Sequence, residues 1–116
     1  MTQANEIPTV TLTGDAEMPV VGLGTWQLRG RRGYEAIRFA LDAGYRHIDT
    51  ATMYGNESDV GRALRDSGLD RREVFITTKL APSRAGRERE TIAASLRALG
   101  TAVSYTHLTL PTIYSV

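Results

Sequence analysis

Three short runs rich in apolar and β-branched residues, VVGLG (20–24), RHIDT (46–50) and EVFITTKL (73–80), are each followed by a helical pattern that stops at a glycine. No other feature constrains the fold as tightly. After the first run, Tyr34, Ile37, Ala40 and Leu41 recur at helical spacing and stop at Gly44; after the second, Val60, Ala63, Leu64 and Ser67 share a face and stop at Gly68. After the third, a helix over 87–99 carries Ile92, Ala93, Leu96 and Leu99 and ends at Gly100. Asn56 is well placed to cap the second helix. Upstream, Val10 and Leu12 precede TGDAE and Met18 and Val20 follow it, so Gly14-Asp15 predicts the turn of a short β-hairpin. Strand–helix units of about 25 to 30 residues predict right-handed crossovers around a parallel sheet. Doubly wound sheets and (β/α)8 barrels both begin this way.

In either architecture the chemistry collects where the strands end at their carboxyl side. Thr25, Trp26, Asp49 and Lys79 fall at such ends, and Tyr54 lies in the loop after the second strand. Within RHIDT, residues two apart share a face, so His47 and Asp49 point the same way with Asp49 nearer the rim. If the strands are sequential neighbours, Lys79 approaches Asp49, and an ammonium and a carboxylate so placed need each other. That pair alone is equally a structural ion pair. Lys79 is the only lysine beside thirteen arginines; a compact ammonium suits a site that tunes a neighbour's proton, although an arginine-biased composition leaves chance as an equal explanation. Tyr54 supplies the chemistry. A lysine cation nearby favours the phenolate, so the phenol can give its proton to an alkoxide near neutral pH. Asp49, Tyr54 and Lys79 thus compose a proton-delivery device suited to carbonyl reduction.

Other residues read more plainly. His47, inside its strand, reads as a core histidine with satisfied nitrogens rather than a base. Trp26 reads equally as pocket wall or core aromatic. Gly22 and Gly24 open like a dinucleotide fingerprint, but Gln27 stands where the third glycine belongs, so no Rossmann phosphate loop is expected. A composition that is 41% hydrophobic and 23% charged fits one soluble domain. No apolar run approaches the roughly 18 to 20 residues of a membrane span, and the opening MTQANEIPTV lacks a secretory signal's pattern, so a cytoplasmic protein is expected. With no cysteine, and with His47 and His107 far apart in the chain, no metal site is expected. A net charge of +1 argues against a nucleic-acid partner, and the arginines of LRGRRG (28–33) read as a solvated loop.

MPVVGLGTW, AGYRHIDTATMYGNESDVGRAL, REVFITTKL and SLRALG together resemble the N-terminal segments of the aldo-keto reductase family, in that order and at that spacing, over about residues 8–101. The resemblance implies an α/β fold that is the N-terminal portion of a (β/α)8 TIM barrel, a β-hairpin plus about three β/α units. It also implies reduction of aldehydes and ketones by NADPH without metal, a small carbonyl substrate, no nucleic-acid or membrane partner, and a monomeric full-length form. By that resemblance Tyr54 is the general acid, assisted by Lys79, and Asp49 pairs with Lys79 and lies near the nicotinamide ribose. Thr25 and Trp26 would lie beside the nicotinamide, with Trp26 and Tyr54 toward the substrate, and Asn56-Glu57 would begin the second helix.

After SLRALGT the family continues with a strand resembling DYVDLYLIHWP, whose histidine orients the carbonyl; this chain reads AVSYTHLTLPTIYSV. All 14 basic and 13 acidic residues lie within 1–101. The expectation is therefore a truncated barrel over 1–101 and an unrelated tail over 102–116, without the family's histidine or its main cofactor-binding segment. HLTL (107–110) alternates weakly, and Pro111 would confine such a strand to an edge. Three strands cannot close a barrel that takes eight, so the chain as written is expected to lack activity. The alternative is a noncatalytic fragment that binds a partner through its exposed sheet edges.

Overall fold

The structure, a computed structural model, describes residues 7–100 together with the backbone of residues 107–108. Strands β1 (Thr9–Thr11) and β2 (Glu17–Pro19) pair antiparallel, Thr9 opposite Pro19. The turn between them needs left-handed backbone at Gly14 (φ 88°) and Asp15 (φ 68°), which glycine adopts freely and aspartate tolerates. The expected hairpin is present.

Four further strands form one parallel sheet in the order β3 (Leu23–Gly24), β4 (His47–Asp49), β5 (Phe75–Thr78) and β6 (His107–Leu108). Helices α1 (Gly30–Asp42) and α2 (Glu57–Ser67) fill the first two crossovers, and α3 (Glu88–Leu99) follows β5. The strand–helix alternation is as the sequence predicts. Gly68 and Gly100 terminate α2 and α3 in the left-handed conformation, at φ 79° and 74°. β6 takes the place of a fourth strand beside β5; the rest of the expected tail over 102–116 lies outside the described residues.

Side chains alternate across the sheet. Ile48 and Ile76 are buried toward the helices, among Ile37, Leu41, Val60, Ala63, Leu64, Val74 and Leu99. Each buried Ile, Leu or Val among these contributes about 1.5–3 kcal/mol by leaving water. Helices α2 and α3 meet closely at Gly61, where a Cβ would stand 2.5 Å from the Ala98 carbonyl oxygen. On the opposite face His47, Asp49, Phe75 and Thr77 are only half-buried.

Two expectations are corrected. The first parallel strand is shorter than VVGLG, and Val20 and Val21 are 51% and 44% exposed rather than buried. The Val20 N–H still bonds the Pro8 carbonyl at 2.9 Å, so this stretch belongs to the hairpin before it belongs to the sheet. In α3 the inward residues are Thr91, Ser95 and Leu99, while Ala93 is exposed. Apolar spacing misplaced that face because Thr91 and Ser95 are buried with hydrogen-bond partners, the Arg87 carbonyl and Glu57. Among the described residues no helix is long and apolar enough to cross a membrane.

Candidate active site

Parallel pairing in register, with Asp49 opposite Thr77, carries Lys79 just past the end of β5 and beside the end of β4. The Lys79 Nζ donates to Asp49 Oδ1 at 2.6 Å and to the Tyr54 hydroxyl oxygen at 3.5 Å. It also stands 5.4 Å from the centre of the Tyr54 ring. The structure thus brings Asp49, Tyr54 and Lys79 together. The Lys79 and Asp49 side chains are 25% and 42% exposed, so the pair sits at an open rim. Burial disfavours the Lys79 charge, but the hydrogen bond and charge of Asp49, helped by Tyr54, outweigh it and hold the ammonium's pKa above lysine's ordinary value. Lys79 is therefore a fixed cation at neutral pH. Among the described residues the Tyr54 hydroxyl donates to no acceptor, and Asp49 Oδ2 accepts no hydrogen bond.

The loop carrying Tyr54 is stitched down on both sides. A 3-10 turn, Thr52–Tyr54, ends at Gly55, whose φ of 69° reverses the chain. Both the N–H and the hydroxyl of Thr52 donate to the Lys79 carbonyl, each at 3.1 Å. Glu57, first in α2, accepts from Thr78 Oγ1 at 2.5 Å and from Ser95 Oγ at 3.0 Å, tying β5 and α3 to the start of the helix. A carboxylate there also suits the positive end of the helix. Asn56 precedes α2 as expected, but its side chain does not cap it. The carboxamide is fully buried and turned the other way: Nδ2 donates to the carbonyls of Thr25 (2.6 Å) and Leu28 (2.7 Å), and Oδ1 accepts from Thr50 Oγ1 at 3.0 Å.

Thr25, expected beside a nicotinamide, has 0% exposed surface. Its N–H and hydroxyl both donate to the Asp49 carbonyl, at 3.0 and 3.2 Å, so it holds the end of β4. Trp26 is 66% exposed, which excludes a core aromatic and leaves its face open at the rim. It sits in a turn closed by the Leu28 N–H to the Thr25 carbonyl (2.9 Å), with Gln27 in the left-handed region at φ 71°. His47 is satisfied on both nitrogens, by the Pro19 carbonyl (3.0 Å) and Thr77 Oγ1 (2.9 Å), and its ring meets Phe75 edge-on. Because the Pro19 carbonyl can only accept, Nδ1 is the donor in that bond. Asn56 and Thr52 were missed as site-building residues. Their one sequence signal is their place on either side of Tyr54 in the run TMYGN.

The Aldo/keto reductase family model matches residues 20–106. An aldehyde reductase of Saccharomyces cerevisiae is 46% identical over 99 residues, which cover 85% of this chain and 32% of that protein. An aldo/keto reductase crystal structure from Brucella melitensis is 44% identical with a TM-score of 0.77, over 82% of this chain and 38% of that one. An aldo-keto reductase of Bombyx mori, crystallised in complex with NADP, is 33% identical with a TM-score of 0.72, over 81% of this chain and 34% of that one. The chain spans about a third of the length of the curated relatives it matches.

Proposed function

The chain belongs to the aldo/keto reductase family, and on that premise we propose that it carries the proton-delivery part of an enzyme that reduces aldehydes and ketones to alcohols with NADPH. The observation that carries this reading is the line from Asp49 to Lys79 to Tyr54, 2.6 and 3.5 Å long, ending in a phenol whose hydrogen has no acceptor among the described residues. Tyr54 gives its proton to the carbonyl oxygen as that oxygen gains negative charge. Lys79 stabilises the phenolate left behind, and Asp49 keeps the ammonium charged and in place. A separation of 3.5 Å is loose for a hydrogen bond, and contacts of this kind tighten when substrate is present.

The residues at hand fit the nicotinamide end of such a cofactor. Asp49 Oδ2 is an acceptor with nothing bound to it among the described residues, which suits a ribose hydroxyl, and the exposed indole of Trp26 offers a flat apolar wall. When bound, NADPH supplies a hydride.

The test is a graft in which residues 7–100 replace the matching segment of the Saccharomyces cerevisiae aldehyde reductase, with NADPH oxidation followed on a small aldehyde. Tyr54→Phe is expected to lower turnover about 10²–10⁴-fold, the range typical of a positioned acid. A Tyr54→Phe graft that keeps its turnover would sink the proposal. Among the described residues there are four parallel strands of an architecture that takes eight, and no turnover is expected from the chain alone. Measurable reductase activity in the purified chain would refute that expectation.

A further inference from the structure

Asn56 takes no part in the proton transfer described above, yet its side chain is 0% exposed and fully engaged. Its three hydrogen bonds reach residues 31, 28 and 6 positions away. Both N–H groups end on carbonyls that bracket the turn holding Trp26 and Gln27. Gly33 of α1 lies so close to the Leu28 backbone that any Cβ there would overlap it. Leu28, at the end of the turn, is thus approached by both α1 and the Asn56 amide. The amide oxygen in turn accepts from Thr50, which follows Asp49 and whose N–H bonds the Thr77 carbonyl at 2.7 Å. Asn56 itself is two residues past Tyr54. One carboxamide therefore joins the turn of Trp26, the strand end of Asp49 and the loop of Tyr54, and its hydrogen bonds go to none of the side chains of Asp49, Tyr54 or Lys79.

We propose that Asn56 is a positioning residue: its buried carboxamide fixes the Trp26 turn against the Tyr54 loop and sets the width of the gap that a carbonyl substrate enters. Only an amide supplies two donors and one acceptor from a side chain of this size. Aspartate would lose both donors, and alanine would leave the Thr25 and Leu28 carbonyls without this partner in a buried place. The side that faces Lys79 is held separately by Thr52 and Glu57, so losing Asn56 loosens one wall of the gap and leaves the other.

The experiment uses the full chain, in which Trp26 is the single tryptophan. Time-resolved anisotropy of Trp26 and hydrogen exchange at the Leu28 amide are compared in the parent chain, Asn56→Ala, and Ile37→Val, a core control with a modest loss of stability. If the clamp holds, Asn56→Ala gives Trp26 fast local motion and speeds Leu28 exchange about tenfold or more relative to amides within α1, while Ile37→Val does neither. Unchanged Trp26 motion and Leu28 exchange in a folded Asn56→Ala chain overturn the proposal. Should that variant not fold, Thr50→Val, which removes one anchor with little change of shape, carries the same test with a smaller expected effect. The consequence for turnover rests on Tyr54 being the acid, and the graft separates the two ideas. Loss of activity in Tyr54→Phe with none in Asn56→Ala overturns the positioning role. Full activity in Tyr54→Phe refutes the acid and leaves Trp26 motion to decide the clamp.

Discussion

The two faces of the parallel sheet are built on different principles. Toward the helices, Ile48 and Ile76 are sealed into an apolar layer, where stability comes from area removed from water. Toward the other side, His47, Phe75 and Thr77 are half-buried, and order comes from specific bonds such as His47 to Pro19 and Thr77. The rim combines both: Thr25, Thr50 and Asn56 are as buried as any core residue, yet polar and hydrogen-bonded. The helix side thus folds by pattern, whereas the rim folds by named partners.

The largest test of that contrast uses adjacent residues of β5. Ile76→Ala is expected to cost about 2–5 kcal/mol in urea unfolding, through lost burial and a residual cavity. Thr77→Val, on the opposite face, removes the hydroxyl bonded to His47 and is expected to cost about 0.5–1.5 kcal/mol. Equal costs would mean that the two faces share one energetic logic after all. Next in size is Gly61→Ala at the contact of α2 and α3. A methyl gained in helix propensity is outweighed there by overlap with the Ala98 carbonyl, so a net loss of about 1–3 kcal/mol is expected. If the alanine variant melts at or above the parent's temperature, the close approach is not what Gly61 serves.

The same division decides what the sequence made legible. Strand–helix alternation and the stops at Gly68 and Gly100 are local patterns, and they describe the fold well. The meeting of Asp49, Tyr54 and Lys79 followed from two further steps, sequential parallel strands and polar groups at their ends. Val20 and Val21 went wrong because apolar composition says that a residue prefers burial, and nothing about which neighbour will cover it. Thr91 and Ser95 went wrong for the converse reason, since a hydroxyl can be buried once it finds an acceptor. Asn56 has both the type and the place of a helix cap, and its real partners lie up to 31 residues away, beyond any spacing rule.

The ion pair at the rim gives a smaller effect, visible through pH. The Lys79 pKa is raised in the folded chain, so the pair's contribution is complete below lysine's ordinary 10.5 and fades as pH climbs through the higher folded value. The stability difference between the parent and Lys79→Met is expected to stay level from neutral pH to about 10 and to close above that. Partial exposure limits its size to less than about 1 kcal/mol, although the same substitution removes the cation from beside Tyr54. Denaturant midpoints measured for both chains between pH 7 and 11 check the sign. A gap that widens at alkaline pH would show that Asp49 is not what holds Lys79 charged.

The smallest expected effect separates the hairpin turn from the rim. Asp15 and Gln27 are the two non-glycine residues with left-handed backbone among those described, at φ 68° and 71°. Aspartate enters that region with little strain, and it sits in an exposed hairpin turn. Glutamine has no such excuse, and a strained residue persists only where its surroundings over-determine it. Here the surroundings are the close approach of Gly33 to Leu28 and the two hydrogen bonds from the Asn56 amide, with the Leu28 N–H closing the turn. Gln27→Gly should relieve roughly 1 kcal/mol of strain and lose about 0.5–1 to the freer unfolded chain, a net gain of a few tenths at most. Asp15→Gly, with less strain to relieve and the same entropy to lose, should be neutral or slightly destabilising. If the order is reversed in urea melts, the turn carrying Trp26 stores no strain. If it holds, the rim keeps an unfavourable backbone angle in place by hydrogen bonds, as a region whose geometry is set by partners rather than by pattern would.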